Sequence, residues 1–437
     1  MKNMSLYGAM MTGISGLDAN SQAMSIYSSN IANVNTIGYK DVEANFSSLL
    51  TSEFGNADNA SVMASGEQNI TQQGLLQSAS SPTDLGISGN GFFVVSQSAS
   101  STGGQYYTRA GNFTPDSAGN LQNGAGYYLM GMATDANGDV QSGEALSPIN
   151  VSGLSGKAEA TANVTLSANL QSSATEDDTY TVGDMTKGVV QPDFSTTINV
   201  YDSQGGTQPI TMDYIKTGPN TWAYEGSYTG NQANILPAQN PILTGTMTFN
   251  TDGSLANANS PTTPATGTIP LTIPWNQASG LSAQTINLNM GTVGSTNGVT
   301  QFDSPSVVNN TTVDGALFGN LTGIAIDSNG YVTANFSNGL SEKIYQVPLA
   351  TFANEDGLAA VQGDAYQASS ASGTANINAP NTGASGGIQS SELEGSTVDL
   401  ATEFTNLITT QRAYSASARI VTTADEMLQT LEQLPSQ

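Results

Sequence analysis

The chain contains neither cysteine nor histidine. Those absences exclude disulfides, thiolate chemistry, iron–sulfur clusters, zinc sites built from Cys or His, and any triad with a histidine base. A chain without cysteine also passes between redox compartments unchanged. Cations are scarce: 9 Lys and Arg stand against 35 Asp and Glu, for a formal net charge of −26. That leaves no cationic footprint for nucleic acid or for an anionic membrane. Charged residues of both signs make up only 10% of the 437, against roughly 25% in ordinary soluble domains. Ser, Thr, Asn, Gln and Gly must therefore cover the surface. No apolar run reaches the ~18 residues that read as a transmembrane helix. Lys2 is not followed by a compact apolar core and a small-residue cleavage site, so a secretory signal peptide is not expected.

What is present begins with a helical period. Met10, Leu17, Met24 and Ile31 recur every seven residues, with Leu6, Tyr27 and Val34 on the adjoining heptad position. Gly13 and Asn20 also occupy that second position and interrupt the seam. Gly38 is placed to end the helix as a left-handed cap. The period returns at the other end of the chain. Leu400, Leu407, Tyr414, Val421 and Leu428 lie seven apart, and Phe404, Ile408, Ala418, Ala424, Met427 and Leu431 widen the stripe. Each stripe is too narrow for a domain by itself and needs a partner.

Between the helices the period is two. Gly91–Ser96, Tyr106–Phe113 and Gly126–Gly131 read as strands, with turns at Asp116–Gly119 and Asp135–Gly138. Thr196–Tyr228 reads as an antiparallel meander, Phe249–Leu255 as a further hairpin, and strands resume from Leu321. Two Ser/Gly/Asn-rich stretches, Thr51–Ser65 and Ser369–Gly387, read as connectors. The layout is nested: helix, connector and β domain lead in, a central β domain follows, and β, connector and helix lead out.

Chemical signals are few. Asp135–Gly138 and Asp327–Gly330 lack the ligand set of a calcium loop and read as turns. Glu392/Glu394 and Asp425/Glu426 are carboxylate pairs that read as solvated acids in or beside the second helix rather than as catalysts. No catalytic, cofactor or metal site is expected. Arg412 and Arg419 lie one heptad apart, off the apolar stripe and without an acid three or four positions away. A solvated polar face is the plain account of them. The sharper one pairs them with Asp18, Asp41 or Glu43 of another chain or segment.

Ser15–Ala19 (Ser-Gly-Leu-Asp-Ala) and Ser29–Lys40 (Ser-Asn-Ile-Ala-Asn-Val-Asn-Thr-Ile-Gly-Tyr-Lys) resemble the N-terminal signature of the bacterial flagellar rod and hook proteins. Glu392–Tyr414 and Thr423–Leu428 resemble that family's C-terminal motif, and Leu85–Phe93 and Tyr107–Phe113 its outer β domain. Val200–Gly205 with Trp222, Val347–Leu358 and the length favour the hook members over the shorter rod members. The resemblance implies a fold that is mainly β, with terminal α-helices paired as a coiled-coil-like core domain and two nested outer antiparallel β domains. The expected division is 1–40 and 396–437 for the helical inner tube, 41–69 and 366–395 for connectors, 70–152 and 303–365 for the first β domain, and 153–302 for an inserted distal β domain. The function implied is that of a structural subunit, not an enzyme. It would self-assemble into a hollow, bendable helical tube that joins rod to filament and transmits torque. Implied partners are other copies of the chain, the distal rod, hook cap and hook–filament junction proteins, and the flagellar export apparatus. The implied location is extracellular, after export without a cleaved signal peptide. On this reading Leu6, Met10, Leu17, Met24, Tyr27, Ile31, Val34, Leu400, Phe404, Leu407, Tyr414, Val421, Leu428 and Leu431 pack the tube. A distal rod protein is the alternative within the family; a secreted β-rich glycan-acting enzyme or an adhesin are alternatives outside it.

Overall fold

The computed structural model describes residues 6–50, 60–100, 103–135, 137–141, 143, 145–152, 154, 156–236, 239–259 and 267–432, with 6, 7, 49, 50, 60, 431 and 432 described as backbone only. The class is as expected: many strands lie between one N-terminal and one C-terminal helix, and the helices pack together. The chain divides into two compact units. The first comprises Met1–Gly153, Gly323–Ala334 and Glu342–Gln437, and the second Leu154–Thr322 and Asn335–Ser341.

The second unit is built on the meander read from the alternation at Thr196–Tyr228. Phe194–Tyr201, Thr207–Gly218, Thr221–Tyr228, Leu243–Phe249 and Leu255–Asn259 form a five-stranded antiparallel sheet in sequence order. Asn163–Gln171 belongs to another sheet of five, pairing parallel with Gln284–Asn289 and Thr300–Phe302. One apolar core takes side chains from both sheets: Val164, Leu166 and Leu170 meet Ile198, Met212, Trp222, Met247, Leu271 and Ile286. Two of the large buried side chains find partners for their polar tips, whereas Tyr214 OH and Trp275 Nε1 have none among the described residues. Trp222 Nε1 donates to Gln301 Oε1 at 2.9 Å, and Tyr228 OH donates to Gln208 Oε1 at 2.6 Å. This unit runs past the expected limit at 302. Val307–Val313 pairs antiparallel along Asn163–Gln171, with a bulge between Ser167 and Ala168, and so carries the unit to Thr322.

In the first unit, Phe92–Ser96 is buried along its whole length between Gln105–Thr108 and Tyr128–Ala133. Phe92 packs edge-on against Tyr366 and Phe352, and Phe93 against Phe113. The strand expected over Tyr106–Phe113 stops at Thr108. The stretches expected as connectors are structured where they are described. Val42–Leu50 and Ala60–Gln68 pair antiparallel, and Ala365–Gln367, Asn376–Asn378, Gly387–Ser390 and Glu392–Glu394 are strands. Residues 51–59 of the first connector fall outside the described residues. A two-stranded hairpin is marginal alone, and this one rests on the N-terminal helix: Ala64 is buried, and Ser15 Oγ accepts from Val62 N at 3.3 Å.

Trp222→Ala should lower the stability of the second unit by roughly 3–5 kcal/mol, the range for deleting a buried aromatic. Denaturant unfolding of the full chain, followed through Trp275, the other of the two tryptophans, checks this.

Candidate functional site

The terminal helices are the elements on which the sequence motifs converge. The first, α1, spans Leu6–Ala32, and the second, α2, spans Leu400–Glu432. Neither contains proline. Asp399 starts α2: its carboxylate accepts from Thr402 N at 3.0 Å, and that amide holds the Asp399 carboxyl below the ordinary aspartate value. α1 ends at Ala32, six residues before the glycine expected to cap it. Gly38 has φ +72, and a Cβ there would lie 2.6 Å from Ala110 N. Its role is to let the chain pass the Arg109–Ala110 backbone. Val34 accordingly lies beyond the helix, in a cleft with Ile37 and Leu393.

The helices run antiparallel: Gly13 faces Val421, Gly16 faces Ser417, and Asn30 faces Glu403. The face that α1 buries is Gly13, Gly16, Ala19, Ala23, Tyr27 and Asn30. This differs in phase from the expected stripe. Met10, Leu17, Met24 and Ile31 are only half-buried and flank the contact, as do Leu407, Val421 and Leu428 from α2. Leu400, Phe404 and Tyr414 are exposed. Leu6 and Leu431 lie in helical backbone, and their side chains fall outside the described residues. The phase shift has a steric cause. A Cβ on Gly13 would sit 2.8 Å from Val421 Cγ2, and one on Gly16 2.9 Å from Ser417 Oγ. Small residues let the two backbones approach and gain many weak dispersion contacts, so the glycine that interrupts the apolar period marks the interface.

One polar node crosses this interface. Asn30 is fully buried. Its Nδ2 donates to Val42 O at 2.9 Å and to Glu403 Oε1 at 3.1 Å, while its Oδ1 accepts from Val42 N and Tyr39 OH, both at 3.1 Å. The other Glu403 oxygen, Oε2, has no partner among the described residues. Burial raises the Glu403 carboxyl above the ordinary value. Asp41, Asp399 and Glu43 push it further, against the hydrogen bond from Asn30.

A second charged site lies where the helices meet the β elements. Glu394 is wholly buried and binds two buried cations: Lys40 Nζ at 2.6 Å and Arg109 Nη1 at 3.1 Å. Gly74 N also donates to Glu394 Oε1 at 2.7 Å, and Gly38 N donates to the Glu394 carbonyl at 2.8 Å. Lys40 donates further to Gln72 O, and Arg109 to Gly89 O at 3.1 Å, with its guanidinium 5.1 Å from the Phe92 ring centre. Burial pulls the Lys40 ammonium below its usual value against the opposing pull of Glu394. Glu394 is therefore not the solvated acid its neighbourhood suggested. Lys40, Arg109 and Glu394 form a buried cluster that sequence reasoning missed. The available signal was that two of the few cations sit inside separate motifs, and that Arg109 has no acid among its near neighbours in sequence.

The five residues expected to form ion pairs do not meet within the chain. Arg412, Arg419, Asp18 and Glu43 are exposed, and Asp41 accepts from Thr397 Oγ1 at 2.7 Å. Among the described residues neither arginine has an ion-pair partner.

Two outcomes follow from these sites. Glu394→Ala leaves two buried cations unpaired and should cost about 3–5 kcal/mol, while replacing Lys40, Arg109 and Glu394 together by Met should cost less; denaturant unfolding of the full-length variants separates the two. Because the folded-state value of Glu403 is raised, its favourable contribution is complete below the unfolded value of about 4.3 and is lost as pH rises through the folded one. Glu403→Gln should therefore raise the thermal midpoint of the helix pair at neutral pH and leave it nearly unchanged near pH 4, read by far-ultraviolet circular dichroism.

Comparison with known proteins places both helices and both units. Residues 10–40 match the family described as Flagella basal body rod protein, and residues 86–177 the Flagellar hook protein FlgE/F/G D1 domain. Residues 169–316 match the Flagellar basal body protein FlaE D2 domain, and residues 389–434 the Flagellar basal body rod FlgEFG protein C-terminal. The flagellar hook protein FlgE of Caulobacter vibrioides is 34% identical, over 98% of this chain and 99% of that one. The FlgE of Brucella abortus is 34% identical over 99% and 100%, and that of Salmonella typhimurium 29% identical over 96% and 98%. The crystal structure of Helicobacter pylori FlgE2 superposes with a TM-score of 0.47 at 15% identity, covering 73% of this chain and all of that one. With a third of its residues shared along nearly the whole length of such relatives, the chain belongs to the family of flagellar hook proteins.

Proposed function

We propose that this hook subunit polymerises through the outward faces of α1 and α2, which form the inner wall of the tube while the β units lie outside. As a hook subunit it builds the hollow, bendable segment that couples the rod to the filament and transmits torque. The observation that carries the assembly reading is the set of large apolar residues the helix pair leaves exposed: Met11 and Ile14 on α1, and Phe404, Ile408, Tyr414, Ile420 and Met427 on α2. Exposed apolar surface concentrated on one helix pair points to an interaction site. The flanking Met10, Leu17, Met24, Ile31, Leu407, Val421 and Leu428 complete the packed seam. Arg412 and Arg419 pair with acids of neighbouring copies, for which Asp18, Asp41 and Glu43 are the candidates. A contact between different surfaces, repeated without closure, gives a helical filament.

The remaining parts of the reading follow from family membership and composition. The subunit acts by assembly and not by catalysis. It leaves the cell unfolded through the flagellar export apparatus without a cleaved signal peptide, a route that a cysteine-free chain tolerates. Its ends meet the distal rod, the hook cap and the hook–filament junction. Outer surfaces rich in Ser, Thr, Asn and Gly exchange neighbours at low cost during bending, where fixed ion-pair networks would resist. The rod, enzyme and adhesin alternatives are not favoured, since hook proteins match the chain from end to end.

Deletion of residues 1–35 should abolish polymers of the purified chain in electron micrographs, with β-sheet circular dichroism retained. Straight polymers from the intact chain would instead point to a rod.

A further inference from the structure

A groove runs along the outer side of α2, lined by Ile408, Gln411, Arg412, Ser415, Ala416 and Arg419. Arg412, Ser415, Ala416 and Arg419 stand at i, i+3, i+4 and i+7, the four corners of a hole that receives one knob from a facing helix. The floor is small and the two rims are cationic. All six residues are exposed, while the contact of α2 with α1 uses Gly13, Gly16 and Asn30 of α1; Arg419 also borders a cleft that includes Ala9 of α1.

The face of α1 that points away from α2 carries Met11, Ile14 and Asp18, spaced three and four apart and all exposed. Asp18 is the only charged residue of α1. A groove rimmed by two arginines, set against an apolar ridge ending in one aspartate, is a complementary pair. Pairing α2 with a second α2 would oppose Arg412 and Arg419 with their own copies, and pairing α1 with α1 would bring two Asp18 together. Only the mixed pair joins opposite charges.

Polarity then sets the register. Copies in a polar filament share one direction, and α1 and α2 are antiparallel within each copy, so a neighbour's α1 also runs antiparallel to this α2. We infer that Ile14 of one copy seats in the Arg412–Ser415–Ala416–Arg419 hole of the next. One turn further along, Asp18 then meets Arg412, and in the other direction Met11 lies under the aliphatic stem of Arg419. Each copy offers the ridge and the groove on different faces at once, so the contact propagates and does not close. This rests on the reading that the terminal helices carry assembly, and it names which faces meet and in what register.

The absence of cysteine allows a direct test in the full-length chain. Ile14→Cys combined with Ser415→Cys, polymerised and then oxidised, should give a ladder of disulfide-linked multimers on a non-reducing denaturing gel. Neither single variant should give one. Asp18→Arg and Arg412→Asp should each raise the concentration needed for polymerisation about tenfold, the equivalent of 1.4 kcal/mol, and the double variant should return to within about twofold of the parent. Dimers from Ser415→Cys alone, or parent-like polymers of the double cysteine variant that do not cross-link, overturn the register while leaving helix-driven assembly standing. If the chain lacking residues 1–35 polymerises like the parent, the assembly reading itself fails.

Discussion

Glu394 is the residue on which the arrangement of both chain ends depends. Its carboxylate holds Lys40, which follows α1, and Arg109, which follows the Gln105–Thr108 strand, and α2 begins six residues after it. Its own backbone carbonyl accepts from Gly38. The directions in which the two helices leave the β elements are therefore set within one buried hydrogen-bonded cluster. Two cations around one carboxylate leave a residual positive charge. Glu355 lies close enough to feel both cations, although burial raises its own carboxyl above the ordinary value. Taking three charges out of water is costly, and such clusters add less to stability than apolar packing of the same volume would. What this one supplies is direction. Its donors and acceptors are satisfied in a single geometry, apart from Arg109 Nε.

Held by that cluster, the helices meet through their smallest residues. Buried Gly13, Gly16, Ala19 and Ala23 contribute close backbone approach and little apolar area. The large side chains are displaced to the flanks and the outside. The chain thus forms a defined helix pair while leaving large apolar side chains such as Met11, Ile14, Phe404 and Ile408 in water, where each Å² is worth about 25 cal/mol on burial. The Asn30–Glu403 node fits the same scheme. A glycine and alanine face has few features to resist sliding along the axis, whereas a buried amide with four hydrogen bonds matches one register only.

Sequence reasoning reached the elements whose period is strong and whose partner is local. Ile198 and Val200, then Ile210, Met212 and Tyr214, alternate cleanly, and the meander formed where it was read. It failed where the partner is distant or the residues are small. The Val42–Leu50 and Ala60–Gln68 hairpin looked like a linker because the residues it sets against α1 are small, the buried Ala64, and Gly66 beside Ile26, rather than a large apolar face. The α1 seam was read in the wrong phase because methionines and leucines were counted as interface and glycine as its interruption. Glu394 was legible only as an acid beside a helix. Its cations lie 354 and 285 residues away, and no local pattern reports a contact of that separation.

The same residue economy divides the polar contacts of the two units into different kinds. In the first unit, charge is used inside, where low dielectric strengthens it and its geometry is strict. On the exposed face of the second unit's meander, cross-strand contacts are hydroxyl pairs, Thr197 with Thr211 at 3.1 Å and Thr211 with Thr229 at 3.2 Å. Water replaces a hydroxyl pair at little net cost, since the net worth of one such bond is about 1 kcal/mol. The proposed role, with helices held in fixed relation and an outer surface that exchanges neighbours during bending, is served by this division. With only 10% of its residues charged, the chain has few ion pairs to spare for its exterior, and the strongest cluster sits where the helices are attached.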